Sequence, residues 1–330
     1  MYGGLHMTIK TALPFCKILI SAGLTMILGG CASNQINNDV SAQQSEYYQG
    51  KEILPFLAEQ QAKSPEEAIQ NADQAMSVND SDRALFNYIR AYELDDQHSY
   101  ALLRIGDIHY NRNNLAISYQ AYQQALKLDP KLGEAYKGSG MILLHNKSYS
   151  MATTSFTQAI EYLQEQPEKQ KPLLDSYIGL GIINDITGQH IQAEQNYKAA
   201  IKLDPKSPRV QTNLGYSYYM QEKWVNAESA FNKALQSDNS YSPAWKNLGL
   251  TYARQERYNE AIGALEQVMP ISEAYNDIGY ICMITQRYEM AALFLRKAIK
   301  EHPQYYTVAQ QNLTRVKRLL ASNPDGRSKL

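Results

Sequence analysis

Small and apolar residues recur along most of this chain at a fixed interval. The stretch AWKNLGLTYARQERYNEAIGALEQV (244–268) carries Trp245, Leu248, Gly249 and Tyr252 at helical spacing, then Ala261, Leu265 and Val268 at the same spacing after a polar break. Leu214, Gly215, Tyr218, Ala227, Phe231 and Ala234 stand 34 residues earlier, and Tyr177, Leu180, Gly181, Ala193, Tyr197, Ala200 and Pro205 a further 34 earlier. Another copy holds Tyr136, Gly140, Ala152, Phe156 and Ala159, but Tyr136 lies 41 residues before Tyr177. The excess falls around EYLQEQPEKQKP (161–172) and predicts a lengthened second helix or loop. Leu102, Ile105, Gly106, Tyr122, Ala125 and Pro130 form an earlier copy, and Ala68, Ala72, Ala84, Tyr88 and Ala91 a weaker first one. The last copy, with Tyr275, Ile278, Gly279, Ala291, Leu295, Ala298 and Pro303, begins only 30 residues after Trp245, so one helical turn is missing there. Each copy predicts a helix A, a tight turn and a helix B.

The residue types follow from packing. Small side chains at positions 8 and 20 of each copy let helices A and B cross at the roughly 8–10 Å that ridge-into-groove packing demands. Aromatic residues at positions 4, 11 and 24 fill the space toward the neighbouring copy. Proline near position 32, as in LDPK (128–131) and LDPKSP (203–208), ends helix B because it cannot continue the hydrogen-bond ladder. One copy alone cannot bury its apolar face, so stability has to arise from stacking, with both ends solvated. The W-x2-L-G-x2-Y…A spacing of 244–268 resembles the tetratricopeptide repeat. That resemblance implies an all-α fold, a right-handed superhelical solenoid of about seven helix-turn-helix units spanning 65–320. Gln304 to Leu320, with Val308, Leu313, Val316 and Leu320 on one side, predicts a C-terminal capping helix, and ASNPDGRSKL (321–330) a disordered tail.

Ahead of the repeats the pattern changes. ILISAGLTMIL (18–28), preceded by Lys10 and Lys17, is an apolar run of 11 residues, too short to cross a bilayer, which takes about 20 helical residues. A positive flank, a short apolar core and small residues at its end predict a secretory signal peptide over 1–30, with Met7 a more usual start than Met1. Leu28, Gly29, Gly30 and Cys31 resemble the bacterial lipobox. The resemblance implies cleavage before Cys31, a diacylglycerol on its thiol and acylation of its new amine, an anchor far firmer than one acyl chain. An incidental cysteine after a plain signal peptide is the alternative. Ala32 and Ser33 follow Cys31, and the lack of an aspartate there implies, by the same resemblance, a lipid-anchored protein on the periplasmic face of the outer membrane. Residues 31–64 read as the lipidated cysteine and a flexible tether, rich in Ser, Asn and Gln over 32–52, with an apolar patch ILPFL (53–57) suited to docking on the first unit.

Composition narrows the functional classes. The 330 residues are 44% hydrophobic and 20% charged, as in a folded protein outside the bilayer. Lysine and arginine number 32 against 33 acidic residues, so the basic footprint of a nucleic-acid partner is missing. Cys16, Cys31 and Cys282 are too scattered for a disulfide framework or a cysteine-histidine metal site. With Cys16 removed and Cys31 modified, Cys282 is the one thiol left, which suits an oxidising compartment. His6, His98, His109, His145, His190 and His302 are dispersed, without HExxH, and His190 takes the place of Tyr149, Trp224, Tyr258 and Tyr288 in other units, as a packing residue would. KGSGM (137–141) lies inside a predicted helix rather than a strand-turn-helix elbow. No enzyme activity, cofactor, metal or small-molecule substrate is therefore expected.

A binding surface is expected instead. In the tetratricopeptide family the inner groove is lined by helix A positions 2, 5, 9, 12 and 13. Carried onto this sequence, the resemblance implies a groove of Tyr110, Lys137, Met141, Ile182, Tyr216, Tyr219, Met220, Lys246, Arg254, Tyr280 and Met283. Asp107, Asn111, Leu144, His145, Ile178, Asp185, Thr212, Leu250 and Asn276 fall at the same offsets. A surface rich in tyrosine and methionine suits a helix or extended peptide of a protein partner; burial between units is the alternative for some of these side chains. The Lys and Asn pair that clamps chaperone C-termini is missing, since Lys137 is followed by Met141 and Lys246 by Leu250.

The run EAYNDIGYICMITQRYEMAALFLRKAIKEHPQYYTVAQQNLTRVKRL (273–319) is similar to the TadD family of the tight adherence (Flp) pilus system. YNDIGYICM and YYTVAQQNLTRVK carry the resemblance, and the repeats from about residue 99 follow it more loosely. It implies an outer-membrane lipoprotein that helps assemble or localise the pilus secretin without catalysis. The pilotin of type IV pili, or a scaffold gathering envelope enzymes such as peptidoglycan hydrolases, would share the anchor and the repeats.

Overall fold

The computed structural model describes Tyr47, Tyr48 and residues 62–302, 304 and 306–322. The signal peptide, Cys31, ILPFL and 323–330 lie outside the described residues. Among the described residues there are 15 α-helices and no strand. They form seven successive hairpins: α1 (Pro65–Ser77) with α2 (Ser81–Leu94), α3 (Ser99–Asn111) with α4 (Leu115–Leu128), α5 (Gly133–His145) with α6 (Tyr149–Leu163), α7 (Gln170–Ile186) with α8 (His190–Leu203), α9 (Pro208–Met220) with α10 (Trp224–Ser237), α11 (Ser242–Arg254) with α12 (Tyr258–Leu265), and α13 (Ile271–Ile284) with α14 (Tyr288–Glu301). A last helix, α15 (Thr307–Ser322), packs on both α13 and α14.

Helix starts are set locally. Ser64 accepts a hydrogen bond from the Glu67 N–H ahead of Pro65, and Ser207 does the same for Val210 ahead of Pro208, so each satisfies an orphan donor while proline pre-sets the first turn. Every A-to-B reversal passes through one residue with a left-handed backbone: Asn79, Asn113, Lys147, Gly188, Glu222, Glu256 and Gln286, with φ between 58° and 77°. Only one of these is glycine, so the stacked hairpins hold the other six residues in a conformation that costs a side-chain-bearing residue about 1–2 kcal/mol.

The position-8 glycines have a specific cause. A Cβ on Gly106 would lie 2.6 Å from the Tyr122 ring of the same hairpin, and one on Gly138 of the next hairpin 2.4 Å from that ring. Phe156 is gripped in the same way, 2.9 Å from a Cβ on Gly140 and 2.4 Å from one on Gly179. The position-24 ring is thus clasped by helix A of its own unit and of the following one, which couples neighbours directly. Where the ring is tyrosine its hydroxyl needs an acceptor. Tyr122 donates to Asp107 at 2.8 Å and Tyr88 to Asp73, each 15 residues back in the sequence. Ser118 donates to the Gly106 carbonyl at 2.7 Å, satisfying a buried hydroxyl at the same crossing.

The irregular spacings have definite locations. The excess before Tyr177 becomes a short 3-10 turn (Pro167–Lys169) and an α7 of 17 residues, pinned to α5 by a Lys169 to Glu134 ion pair of 2.7 Å. The turn missing from the sixth unit comes from its helix B, since α12 has 8 residues against 14 in α10 and α14. From α3 onward each A helix packs on the next A helix, whereas B helices make no comparable contact with one another. The A helices therefore form the inner layer.

Both ends differ from the sequence expectation. The stretch read as a tether is fixed at two places. Tyr47 is 1% exposed with its carbonyl 2.9 Å from His109 Nε2, and Ala62 is buried with its carbonyl accepting from Arg90. A polar composition concealed two adjacent aromatics: Tyr47 is buried in the core of the first units, and Tyr48 packs against it with its ring 6.4 Å from that of Phe86. At the other end α15 buries Ala309, Leu313 and Val316, leaves Val308 half exposed, and runs two residues past Leu320. No described helix is long and apolar enough to cross a membrane.

Candidate partner-binding groove

The A helices expose two parallel rows of side chains along the inner layer. In α7, α9, α11 and α13 the position-9 row is Ile182, Tyr216, Leu250 and Tyr280, and the position-13 row is Ile186, Met220, Arg254 and Ile284. Ile186 is 48% exposed, Met220 40% and Ile284 45%, with Tyr216 and Tyr280 close behind. Ile186 and Ile284 were missed as groove residues although they sit at the offset of Met220 and Arg254. In α1, α3 and α5 the same rows read Asp73, Asp107 and Met141, then Ser77, Asn111 and His145.

Positions 5 and 12 behave differently. Ile178, Thr212 and Asn276 at position 5, and Leu144 and Met283 at position 12, are all buried. Met283 is only 3% exposed and packs among Cys282, Ile281 and Leu295, so it belongs to the core and not to the groove surface. At 100° per residue these positions lie about 40–60° to one side of position 9, facing the adjacent A helix, whereas position 13 lies about 40° to the other. Exceptions are Tyr219 at position 12, which is half buried, Lys246 at position 5, exposed and 3.6 Å from Asp277, and Lys137 at position 5, which is half buried. Tyr110 is half buried against the core of the first units.

The centre of the groove is an aromatic cluster shared by the fifth and sixth units. Tyr216 stacks on Tyr219 at 6.4 Å, and Trp224 meets Tyr219 edge-on at 5.5 Å. From α11, Arg254 lies over the Tyr219 ring at 5.7 Å and donates from Nε to its hydroxyl at 3.1 Å. One unit back, Asp185 is 5% exposed and pairs through Oδ1 with His190 Nδ1 at 2.8 Å, leaving Oδ2 buried without a hydrogen bond. Burial pushes this carboxyl above its ordinary range, against the hydrogen bonds that favour its charge. Burial, then the Asp185 charge, likewise raises the Tyr197 hydroxyl well above its usual value. His190 is thus a hydrogen-bonding partner of the inner layer, where a packing role was expected. Glu194, just behind, accepts from Lys198, Lys223 and Gln221; burial opposes the effect, but these bonds bring its carboxyl down to about 2 and tie α8 to the next hairpin.

Among the described residues no group of His, Cys, Asp and Glu could hold a metal. A cleft of about 410 Å³ is lined mainly by α4 and α6 at Tyr119, Met151 and Thr154, away from the two rows. The groove is an open strip suited to a chain segment.

Family models described as tetratricopeptide repeat match residues 69–132, 103–162, 207–274 and 272–305, and one described as TPR repeat matches 186–222. The chain belongs to the tetratricopeptide-repeat family. Its repeats are similar to those of the general transcriptional corepressor ssn6 of Schizosaccharomyces pombe, 29% identical over 167 residues, which make up 49% of this chain and 15% of that protein. The corepressor trfA of Dictyostelium discoideum is 26% identical over 132 residues, 40% of this chain and 9% of that one. The chain therefore spans a small part of the length of the curated relatives it matches. Among solved structures, a tetratricopeptide repeat protein from Parabacteroides merdae superposes with a TM-score of 0.53 at 18% identity, covering 78% of this chain and all of that one. Pseudomonas aeruginosa pilF gives 0.50 at 14% identity, covering 76% and 97%. These tetratricopeptide likenesses establish the fold, which in general serves as a non-catalytic scaffold for protein partners.

Proposed function

We propose that this tetratricopeptide-repeat protein is a non-catalytic lipoprotein of the outer membrane. Its groove holds a protein partner and so supports assembly or localisation of a tight adherence pilus secretin. The observation that carries the binding function is the pair of exposed, mostly apolar rows on α7, α9, α11 and α13, because contiguous apolar surface is retained where a partner covers it. The Leu28 to Cys31 motif supports the anchor, and the similarity of 273–319 to TadD supports the pilus system. Anchored at Cys31, a scaffold of stacked helices works at a fixed place on the membrane.

Two experiments test this. Cys31→Ser is expected to leave the protein unlipidated and released from membranes; unchanged fractionation would sink the anchor. Deletion of the gene is expected to deplete secretin multimers from outer membranes, with recovery by the wild-type chain but not by Tyr216→Ala with Tyr219→Ala. Undiminished multimers would remove the pilus role, and multimers lost from a type IV pilus system instead would assign the protein there.

A further inference from the structure

We infer that the groove selects a partner segment bearing an internal acidic side chain, read by Arg254, within an otherwise apolar sequence. The inference rests on the groove being the partner site. Most arginines elsewhere on the solenoid are matched to carboxylates, among them Arg112 to Asp82, Arg209 to Asp175, Arg257 to Glu228 and Arg287 to Glu256. Arg296, Arg315 and Arg318, which pair with none among the described residues, are exposed on α14 and α15 outside the two rows. Arg254 has no carboxylate partner among the described residues. It is held by aromatic groups, with the Tyr219 hydroxyl 3.1 Å from Nε and the Tyr219 ring beneath the guanidinium. Tyr219 is itself braced by Tyr216 and Trp224. Using Nε for Tyr219 leaves the two terminal nitrogens for a ligand, and a guanidinium fixed in orientation presents the fork that a carboxylate accepts from in bidentate fashion.

Neighbouring side chains decide the kind of acid. Arg254 interrupts a row that is apolar on both sides, with Ile186 and Met220 before it and Ile284 after it, Met220 lying 34 residues before Arg254 and Ile284 30 residues after it. The position-9 row alongside is uncharged throughout, with Ile182, Tyr216, Leu250 and Tyr280. A C-terminal carboxylate at Arg254 would leave the apolar strip on one side of it uncovered. A segment running past Arg254 in both directions covers the strip and meets the guanidinium with an aspartate or glutamate side chain. On the strip formed by α7, α9, α11 and α13 the other cation, Lys246, already faces Asp277 at 3.6 Å, so one acid in the ligand matches the one unmatched cation there. Leaving a desolvated guanidinium without a partner is costly, which makes the contact selective as well as attractive.

The test uses the full chain in detergent and a random library of 16-residue peptides displayed through their C termini, so that no free carboxylate is offered. Selected peptides are expected to be apolar with an internal Asp or Glu, and to lose binding to Tyr216→Ala with Tyr280→Ala. In a synthetic version with an amidated C terminus, changing that acid to its amide is expected to weaken binding to the wild type by about tenfold or more. The same change is expected to make no difference with Arg254→Gln, whose fold is checked by circular dichroism. Arg254→Lys should recover part of the preference, since it keeps the charge without the fork. Groove-dependent peptides indifferent to the acid would overturn the Arg254 assignment and leave the groove standing. Failure to select any peptide sensitive to the tyrosine changes would overturn the groove itself.

Discussion

The first two units and the last four present the same inner offsets with opposite chemistry, and the third, with Met141 at position 9 and Phe156 at position 24, stands between them without the aspartate and tyrosine pair. In α1 and α3 the position-9 residue is an aspartate, and its carboxylate is turned inward to the hydroxyl of the position-24 tyrosine of its own unit. In α7, α9, α11 and α13 that position carries Ile182, Tyr216, Leu250 and Tyr280, which reach outward and are exposed or half buried. The difference follows from the residue at position 24. A tyrosine there, Tyr88 or Tyr122, needs a buried acceptor and commits position 9 to structure, whereas Phe231, Leu265 and Leu295 need none and release it. Tyr197 of the fourth unit is intermediate: its neighbouring carboxylate is Asp185 at position 12, so Ile182 at position 9 is free. One end of the solenoid thus spends its inner surface on stability, and the other keeps it for a partner.

The comparison breaks most visibly at its boundary. Phe156 lies between Gly140 and Gly179, so Phe156→Ala is expected to lose about 3–5 kcal/mol in denaturant titration and to separate the melting of the two regions. A single transition near the wild-type midpoint would mean that this ring does not couple them. Asp107→Ala strands the Tyr122 hydroxyl and unpairs Arg104, at a cost of about 1–3 kcal/mol, with groove-peptide affinity unchanged. Tyr280→Ala is its mirror image: stability within about 0.5 kcal/mol of wild type, but peptide affinity reduced severalfold. If Asp107→Ala weakened binding more than Tyr280→Ala, the assignment of the two regions would be reversed. Smallest is a pH effect at Asp185. Its carboxyl is raised in the folded chain, so the folded state favours the protonated form; that advantage is full below the ordinary carboxylate range and lost as pH rises through the raised value. Asp185→Asn is therefore expected to raise the melting temperature at pH about 7 and to lose that gain at pH about 3, below the ordinary aspartate value. An equal shift at both would show that the carboxyl titrates normally.

Much of this was legible in the sequence, for reasons particular residues make plain. Gly106, Gly140, Gly181, Gly215, Gly249 and Gly279 recur because a ring or a leucine of helix B lies where a Cβ would go. Such steric exclusion leaves a spacing that survives reading without coordinates. The missing turn of the sixth unit was equally visible as a shortened interval. Groove membership was less so, since positions 5, 9, 12 and 13 share one broad helical face, and only the packing of neighbouring helices leaves Met283 and Thr212 buried and Ile186 exposed. Tyr47 and Tyr48 gave no signal: two adjacent aromatics in a polar stretch carry no period, and the Tyr47 site exists only once His109 and α2 are assembled. The aspartate 15 residues before a position-24 tyrosine was a readable pair, and it separates the two regions without a structure.

Site-specific photo-crosslinking in intact cells measures the difference between the regions directly. A benzophenone amino acid placed at 216, 250 or 280 is expected to trap one and the same protein, and at 73 or 107 to trap nothing above background. Crosslinks of equal yield from both sets, or from the second set alone, would contradict the division of the inner surface into a structural end and a binding end.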